Sequence, residues 1–264
     1  MTVTLYLTPT TDTALDHAYD LLRAAQAQRC LTPISFLLPT GDATQQLRRR
    51  LGDVMGVRLL QFYNLGSAIL AQADSAVREM GDTATRRLVH ALLGETAARG
   101  ELTTFQPMWD KPGFTDVLVE WLREMKTQGI PPEDVAAHAL TSGNDRDRQL
   151  ALLYARYQTF LREADCADAD GLLWLAAEAL ESSPHLFAGA GHLLLLGFDQ
   201  FSPVQLRILR ALASRLPHLS IYLLWDATRH SPCITAADRA SVSVRQPVSV
   251  CSQTRWSATG QAGV

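Results

Sequence analysis

Thr2-Val3-Thr4-Leu5-Tyr6-Leu7 leads into Thr8-Pro9-Thr10-Thr11-Asp12-Thr13, and then Leu15, Ala18, Leu21, Leu22 and Ala25 follow at helical spacing. Alternating β-branched and apolar residues over 3–7 read as a strand. The polar loop after it offers Asp12 or Thr13 as a helix cap, and the 3.6-residue period reads as a helix reaching Arg29. Strand, loop and helix are the opening half of a βαβ unit. The same alternation continues outward. Residues 34–38 predict a second strand, and 39–42 turn into a helix tipped by Arg48, Arg49 and Arg50. Residues 56–62 predict a third strand, and 65–73 a helix. Much later, 192–197 and 219–225 read as strands around a helix over 203–216. Strands alternating with helices imply an α/β protein with a parallel sheet.

Between these blocks the character changes. From about 83 to 161 apolar residues recur at helical spacing, with Pro107, Pro112, Pro131 and Pro132 as punctuation. This stretch shows no strand pattern and is expected to be an all-helical insertion. The predicted organisation is an α/β core over 1–80 and 162–228, a helical insertion over 81–161, and a tail over 229–264 that is disordered or truncated. A helix is also predicted over 171–181.

Composition narrows the function. The 264 residues are 47% hydrophobic and 19% charged, too apolar for a disordered chain. A formal net charge of −3 argues against tight autonomous DNA binding. The longest apolar runs fall far short of the ~18 residues of a membrane span, and no cationic leader precedes the first strand, so a cytoplasmic protein is expected. Cys30, Cys166, Cys233 and Cys251 contain no C-x-x-C pair, and the seven histidines show no ligand spacing, so no metal site is expected. Lys111 and Lys126 are the only lysines, leaving 22 of the 24 basic residues as arginine.

The loop after the first strand occupies the place of a phosphate-binding turn, which needs glycines and a lysine. Here it has neither, Pro9 removes a donor and Asp12 would repel phosphate. Two readings stand: a hydroxyl-lined nucleotide site on Thr8, Thr10, Thr11 and Thr13, or a plain strand-to-helix connection. The stretch Leu193-Leu194-Leu195-Leu196-Gly197-Phe198-Asp199-Gln200-Phe201-Ser202-Pro203-Val204-Gln205 is similar to the motif of UvrD-type superfamily 1 helicases that ends in a Ser-Pro-x-Gln helix start. Aligned on Ser202 to Gln205, the acidic pair of that motif falls on Leu196 and Gly197. Asp199 and Gln200 remain nearby, either as vestiges of the nucleotide site or as loop residues before a helix cap at Ser202. Ala167-Asp168-Ala169-Asp170-Gly171-Leu172-Leu173 resembles the Asp-x-Asp-Asp-Leu-Leu segment of the same helicases. As chemistry it could bind a metal, but capping by Asp170 is the simpler role.

Val57 to Leu65 is similar to a strand and turn of AddB proteins. Phe62, Tyr63 and Asn64 fall where the comparable region of helicases meets single-stranded DNA, and Phe62 could equally be core. Residues 114–133, with Glu124-Met125-Lys126 and Ile130-Pro131-Pro132-Glu133, and 148–161, with Tyr154 and Tyr157, resemble AddB helices. Together these segments, in order from 5 to 225, resemble the AddB/RexB subunit of AddAB-type helicase-nucleases. The resemblance implies a RecA/P-loop-NTPase-like sheet with a helical insertion. Where this sequence departs from the family pattern, lacking the phosphate lysine, the acidic pair and the iron–sulfur nuclease segment, the expectation is a degenerate motor with no catalytic residue, no metal, no ATP or iron–sulfur cofactor, and no enzyme activity by itself. The resemblance further implies a UvrD-like motor subunit as partner, DNA contact within the complex, and a role in double-strand break repair. The alternatives are a small α/β nucleotide- or metabolite-binding enzyme, and the product of an interrupted gene.

Overall fold

A computed structural model describes residues 2–27, 33–52, 56–187, 191–224 and 253–256. The chain divides into two compact units, one of residues 1–64, 187–201 and 209–264, the other of 65–186 and 202–208.

The first unit is built on a sheet. β1 (Thr2–Thr8), β2 (Ile34–Leu37), β3 (Val57–Leu60), β6 (His192–Leu195) and β7 (His218–Leu224) pair in the order β3-β2-β6-β7-β1, all parallel. β8 (Gln253–Trp256) adds an antiparallel edge beside β1. This strand lies within the 229–264 stretch expected to be a tail. A ladder of backbone hydrogen bonds does not require the apolar period that the tail lacks. The rest of 229–264 lies outside the described residues.

Strand periodicity places the core. Ile34, Phe36, Leu38, Leu194, Leu196, Tyr6 and Tyr222 share one buried cluster with Ala14, Ala18 and Leu22 of α1 (Thr11–Ala27) and Leu47 and Leu51 of α2 (Gly41–Leu51). The intervening Leu37, Leu193 and Leu195 are buried too. Burial on both faces is what a parallel sheet imposes, and it explains why β6 reads as a continuous leucine run. Tyr6 stacks on Tyr222 at 4.7 Å, and His17 Nδ1 hydrogen-bonds the Tyr222 hydroxyl at 2.9 Å, tying α1 to the sheet.

The second unit is mainly helical. It contains β4 (Arg78–Glu79), α4 (Asp82–Ala98), α5 (Pro112–Thr127), α6 (Pro132–Ser142), α7 (Asp145–Glu163), β5 (Cys166–Ala167) and α8 (Ala169–Ser182). α3 (Phe62–Gln72) and α9 (Pro203–Ala213) contribute to both units. The helical unit thus takes in more chain than the 81–161 stretch, including two two-residue strands that pair in parallel. Pro112 and Pro132 sit in the first turns of α5 and α6, where a missing N–H costs nothing. Val89, Leu93, Leu118, Leu122, Leu153 and Leu161, from α4, α5 and α7, form its core. Gln149 is buried but satisfied: its Oε1 accepts from the Thr104 N–H at 3.1 Å and its Nε2 donates to Thr103 Oγ1 at 2.8 Å.

One boundary differs in kind from what the sequence predicts. Phe62 begins α3 rather than ending β3, because the Asn64 side chain accepts the Gln61 N–H at 3.2 Å and turns the chain into a helix.

His192, on β6, shares a 2.8 Å hydrogen bond with Ser220 of β7 and lies 5.3 Å from the His218 ring. Burial, reinforced by the charge of His218, pushes its pKa down to about 4. Below the ordinary histidine value of 6.5 the unfolded chain takes up a proton that the native chain refuses. Stability is therefore full above that value and is lost as the pH falls toward 4. The urea midpoint should drop between pH 7 and pH 4.5, and His192→Gln should flatten that drop while keeping a partner for Ser220.

Candidate functional site

In an open parallel sheet, ligands bind beyond the carboxyl ends of the strands, where successive connections leave in opposite directions. Here the chain leaves β2 toward β3 and β6 toward β7, so that point lies between β2 and β6. Leu196 donates its N–H to Leu37 O at 3.1 Å, extending the ladder, and Gly197 then turns at φ +77° against the ring of Pro39. A side chain at Gly197 would be strained by this left-handed conformation. Phe198 is buried, edge-on to Phe62 at 5.5 Å and stacked on Phe201 at 5.0 Å. The ends of these strands thus carry a proline, a glycine and a packed aromatic trio. Asp199 and Gln200 are exposed.

The threonine loop closes on itself. Thr8 is buried. Thr10 accepts the Thr13 N–H at 3.1 Å, and the hydroxyls of Thr10 and Thr13 hydrogen-bond each other at 2.9 Å. Thr10 is therefore the residue that caps α1, in place of the expected Asp12 or Thr13. Asp12 instead pairs with Arg50 at 2.9 Å, an exposed contact worth about 0–1 kcal/mol. Thr11 is exposed. Arg48 and Arg49 are exposed in the last turn of α2, where positive charge suits the helix dipole.

Of the three residues expected to meet DNA, Phe62 is buried at 6% exposure and its ring is engaged in packing; Tyr63 is half-buried and Asn64 exposed. The Ser-Pro-x-Gln start of α9 is a reciprocal capping box. Ser202 Oγ accepts the Gln205 N–H at 3.2 Å, and Gln205 Oε1 accepts the Ser202 N–H at 3.0 Å.

The helical unit holds the most strongly perturbed group of side chains, and no sequence pattern signals their meeting. Lys126, with 1% of its side chain exposed, donates to Asp168 Oδ2 at 2.7 Å. The Tyr157 hydroxyl donates to the same oxygen at 2.5 Å, and the ammonium lies 4.8 Å from the Tyr157 ring centre. Asp168 Oδ1 accepts the Gly171 N–H at 2.7 Å, so Asp168 caps α8. This corrects the expectation that Asp170 is the cap. Asp170 sits in the first turn, accepts from Thr127 at 3.3 Å, and lies 3.5 Å from Arg123.

Burial pushes the Lys126 pKa down against the pull of Asp168. Burial also pushes Asp168 up, but the Lys126 charge and the hydrogen bonds from Lys126, Tyr157 and Gly171 hold it below the usual carboxylate range. The Tyr157 hydroxyl is pushed up by burial and by the Asp168 charge. Gly171 is required for space: a Cβ there would lie 2.8 Å from Asp168 Oδ1 and 3.3 Å from Lys126 Nζ. The cluster is satisfied within the protein. It joins α5, α7 and α8.

Fold and site together define a parallel-sheet α/β protein with a large helical unit, and sequence comparison identifies its family. The family described as "ADDB, N-terminal" matches residues 42–238, and the chain belongs to it. Over 217 residues it is 29% identical to an ATP-dependent helicase/deoxyribonuclease subunit of Heliobacterium modesticaldum, covering 76% of this chain and 17% of that protein. The corresponding protein of Moorella thermoacetica is 26% identical over 226 residues, covering 79% and 19%. The chain spans under a fifth of the length of these relatives. No helix among the described residues is long and apolar enough to cross a membrane.

Lys126→Met should leave Asp168 buried without its cation and cost about 3–5 kcal/mol. Lys126→Met combined with Asp168→Asn, which keeps an oxygen for the Gly171 N–H, should cost less than the sum of the two single changes. Urea unfolding of the four proteins measures the coupling.

Proposed function

We propose that this chain is the inactive helicase-like part of a subunit in an AddAB-type helicase-nuclease acting in double-strand break repair and recombination. Its role is to scaffold a UvrD-like motor subunit and to help line the path of a DNA strand. Family membership over 42–238 carries this reading. The strand order supports a RecA-like sheet: the first strand lies at one side, beside the last parallel strand, unlike the 3-2-1-4-5-6 and 2-1-3-4-5 orders of the doubly wound folds. The loop after β1 supports an inactive site. It offers no glycine or lysine to a phosphate, and Thr10 and Thr13 are engaged in capping α1. The acidic pair that would bind magnesium and position water is replaced by buried Leu196 and by Gly197. On this reading Thr8, Thr10, Thr11, Thr13, Asp199 and Gln200 outline a lost nucleotide site and no cofactor binds. Tyr63 and Asn64 meet the DNA strand, with Phe62 supporting them from within. The compartment is the cytoplasm.

The test is a pull-down with the tagged chain from nuclease-treated host lysate, followed by reconstitution with the recovered subunit. A UvrD-like motor subunit should come down in stoichiometric amount. Thr11→Ala should leave the ATPase rate of the reconstituted complex within about twofold of the parent, since loss of one exposed hydroxyl matters only where it touches nucleotide. A soluble, folded bait that recovers no such subunit defeats the scaffold reading. A tenfold fall in ATPase rate with Thr11→Ala defeats the inactive-site reading.

A further inference from the structure

The helical unit contains an open groove of about 550 Å³. Its lining is mostly apolar, with Pro131, Pro132, Ala136, Ala155, Trp174 and Leu175 among it. The lining also carries Glu133, Asp165 and Glu178 against the single guanidinium of Arg162. Lys126 also lines it, but its charge is matched by Asp168. Trp174 donates its indole N–H to Glu178 at 2.7 Å, which fixes an aromatic face beside a carboxylate.

The face of α6 that lines the groove continues past it to Leu140. Glu133, Ala136 and Leu140 follow the i, i+3, i+7 spacing of one helical face of α6, and Leu140 is 77% exposed. An aliphatic side chain this exposed, in line with a mostly apolar lining, is suited to contact outside the chain. The charge says what kind. Over 65–186 and 202–208 there are 12 Lys and Arg against 19 Asp and Glu, a net charge of −7. Phosphate backbones are repelled by such a surface, whereas Arg and Lys side chains are drawn to it. Trp174 adds a ring on which a guanidinium can stack.

We infer that this groove docks a basic amphipathic segment of the motor subunit. Its apolar residues lie between Pro131 and Trp174 and along Leu140, and its Arg or Lys side chains reach Glu133, Asp165 and Glu178. The inference rests on the function proposed above and adds the surface and the chemistry of the contact.

The experiment uses the full chain and the purified full-length motor subunit, with affinity measured from 50 to 300 mM salt and hydrogen exchange followed on mixing. Assembly should protect α6 and the first turns of α8. Glu133→Gln with Glu178→Gln, which keeps an acceptor for the Trp174 N–H, should weaken binding about tenfold at low salt and flatten its salt dependence. Leu140→Ser should weaken binding without shifting the urea midpoint of the chain alone. Glu95→Lys, outside the groove, should do neither. A complex that forms with the groove unprotected and the Gln variant binding as the parent does overturns this inference and leaves the proposed function standing. A groove protected in a homodimer of the chain alone also overturns it. Absence of any complex overturns both.

Discussion

One ammonium group, the Nζ of Lys126, fixes how α5, α7 and α8 meet. Removing a lysine from water is expensive, and the cost is met only when the partner geometry is complete. Here Asp168 supplies the counter-charge, Tyr157 shares its oxygen and contributes its ring, and the second carboxylate oxygen is fixed by the Gly171 N–H. The same carboxylate therefore neutralises α5, bonds α7 and starts α8. An apolar replacement of matching volume would fill the space. It would not start α8 at this residue, because capping requires an oxygen acceptor, and a carboxylate buried here requires a cation. Ion pair and cap are thus one device, and α8 is the helix that precedes β6 in the chain.

Gly171 shows how tightly this device is built. A helix interior ordinarily favours alanine over glycine by about 1 kcal/mol. At this position a Cβ would intrude on both charged partners, at 2.8 Å and 3.3 Å. The glycine is not needed for an unusual backbone angle. It is needed so that the first turn of α8 can approach the lysine.

What is legible in the sequence follows the range of each interaction. β1, β2 and β6 are legible because alternation or unbroken apolar runs are local records of burial. The helices of the second unit are legible from spacing and from prolines at their starts. The meeting of Lys126, Tyr157 and Asp168 is not, although all three stand in segments that can be singled out, because Lys126 and Asp168 are 42 positions apart and no period links them. The choice between Asp168 and Asp170 as cap turns on that same distant partner. Phe62 reads as strand because aromatic residues favour strands on average. A single side-chain acceptor, Asn64, decides for helix. β4 and β5, at two residues each, are too short to show any period.

The stretch from Leu193 to Gln205 resembles a helicase motif, and its landmarks can be accounted for by packing and capping alone. Each feature it retains has a structural task that does not involve nucleotide: Gly197 turns left-handed against Pro39, Phe198 and Phe201 pack with Phe62, and Ser202 and Gln205 cap α9 reciprocally. Changing any of these disturbs the fold whether or not ATP is bound. An acidic pair at the end of β6 has no such task, since two carboxylates there would sit unpaired beside a leucine core. Thr10 caps α1 directly, with no glycine or lysine in the loop before it. On the proposed reading, the residues that persist are those with backbone or packing duties, and the residues that are missing are those whose only duty was to phosphate and magnesium. On that same reading, resemblance to a motor is a record of how the sheet is held together.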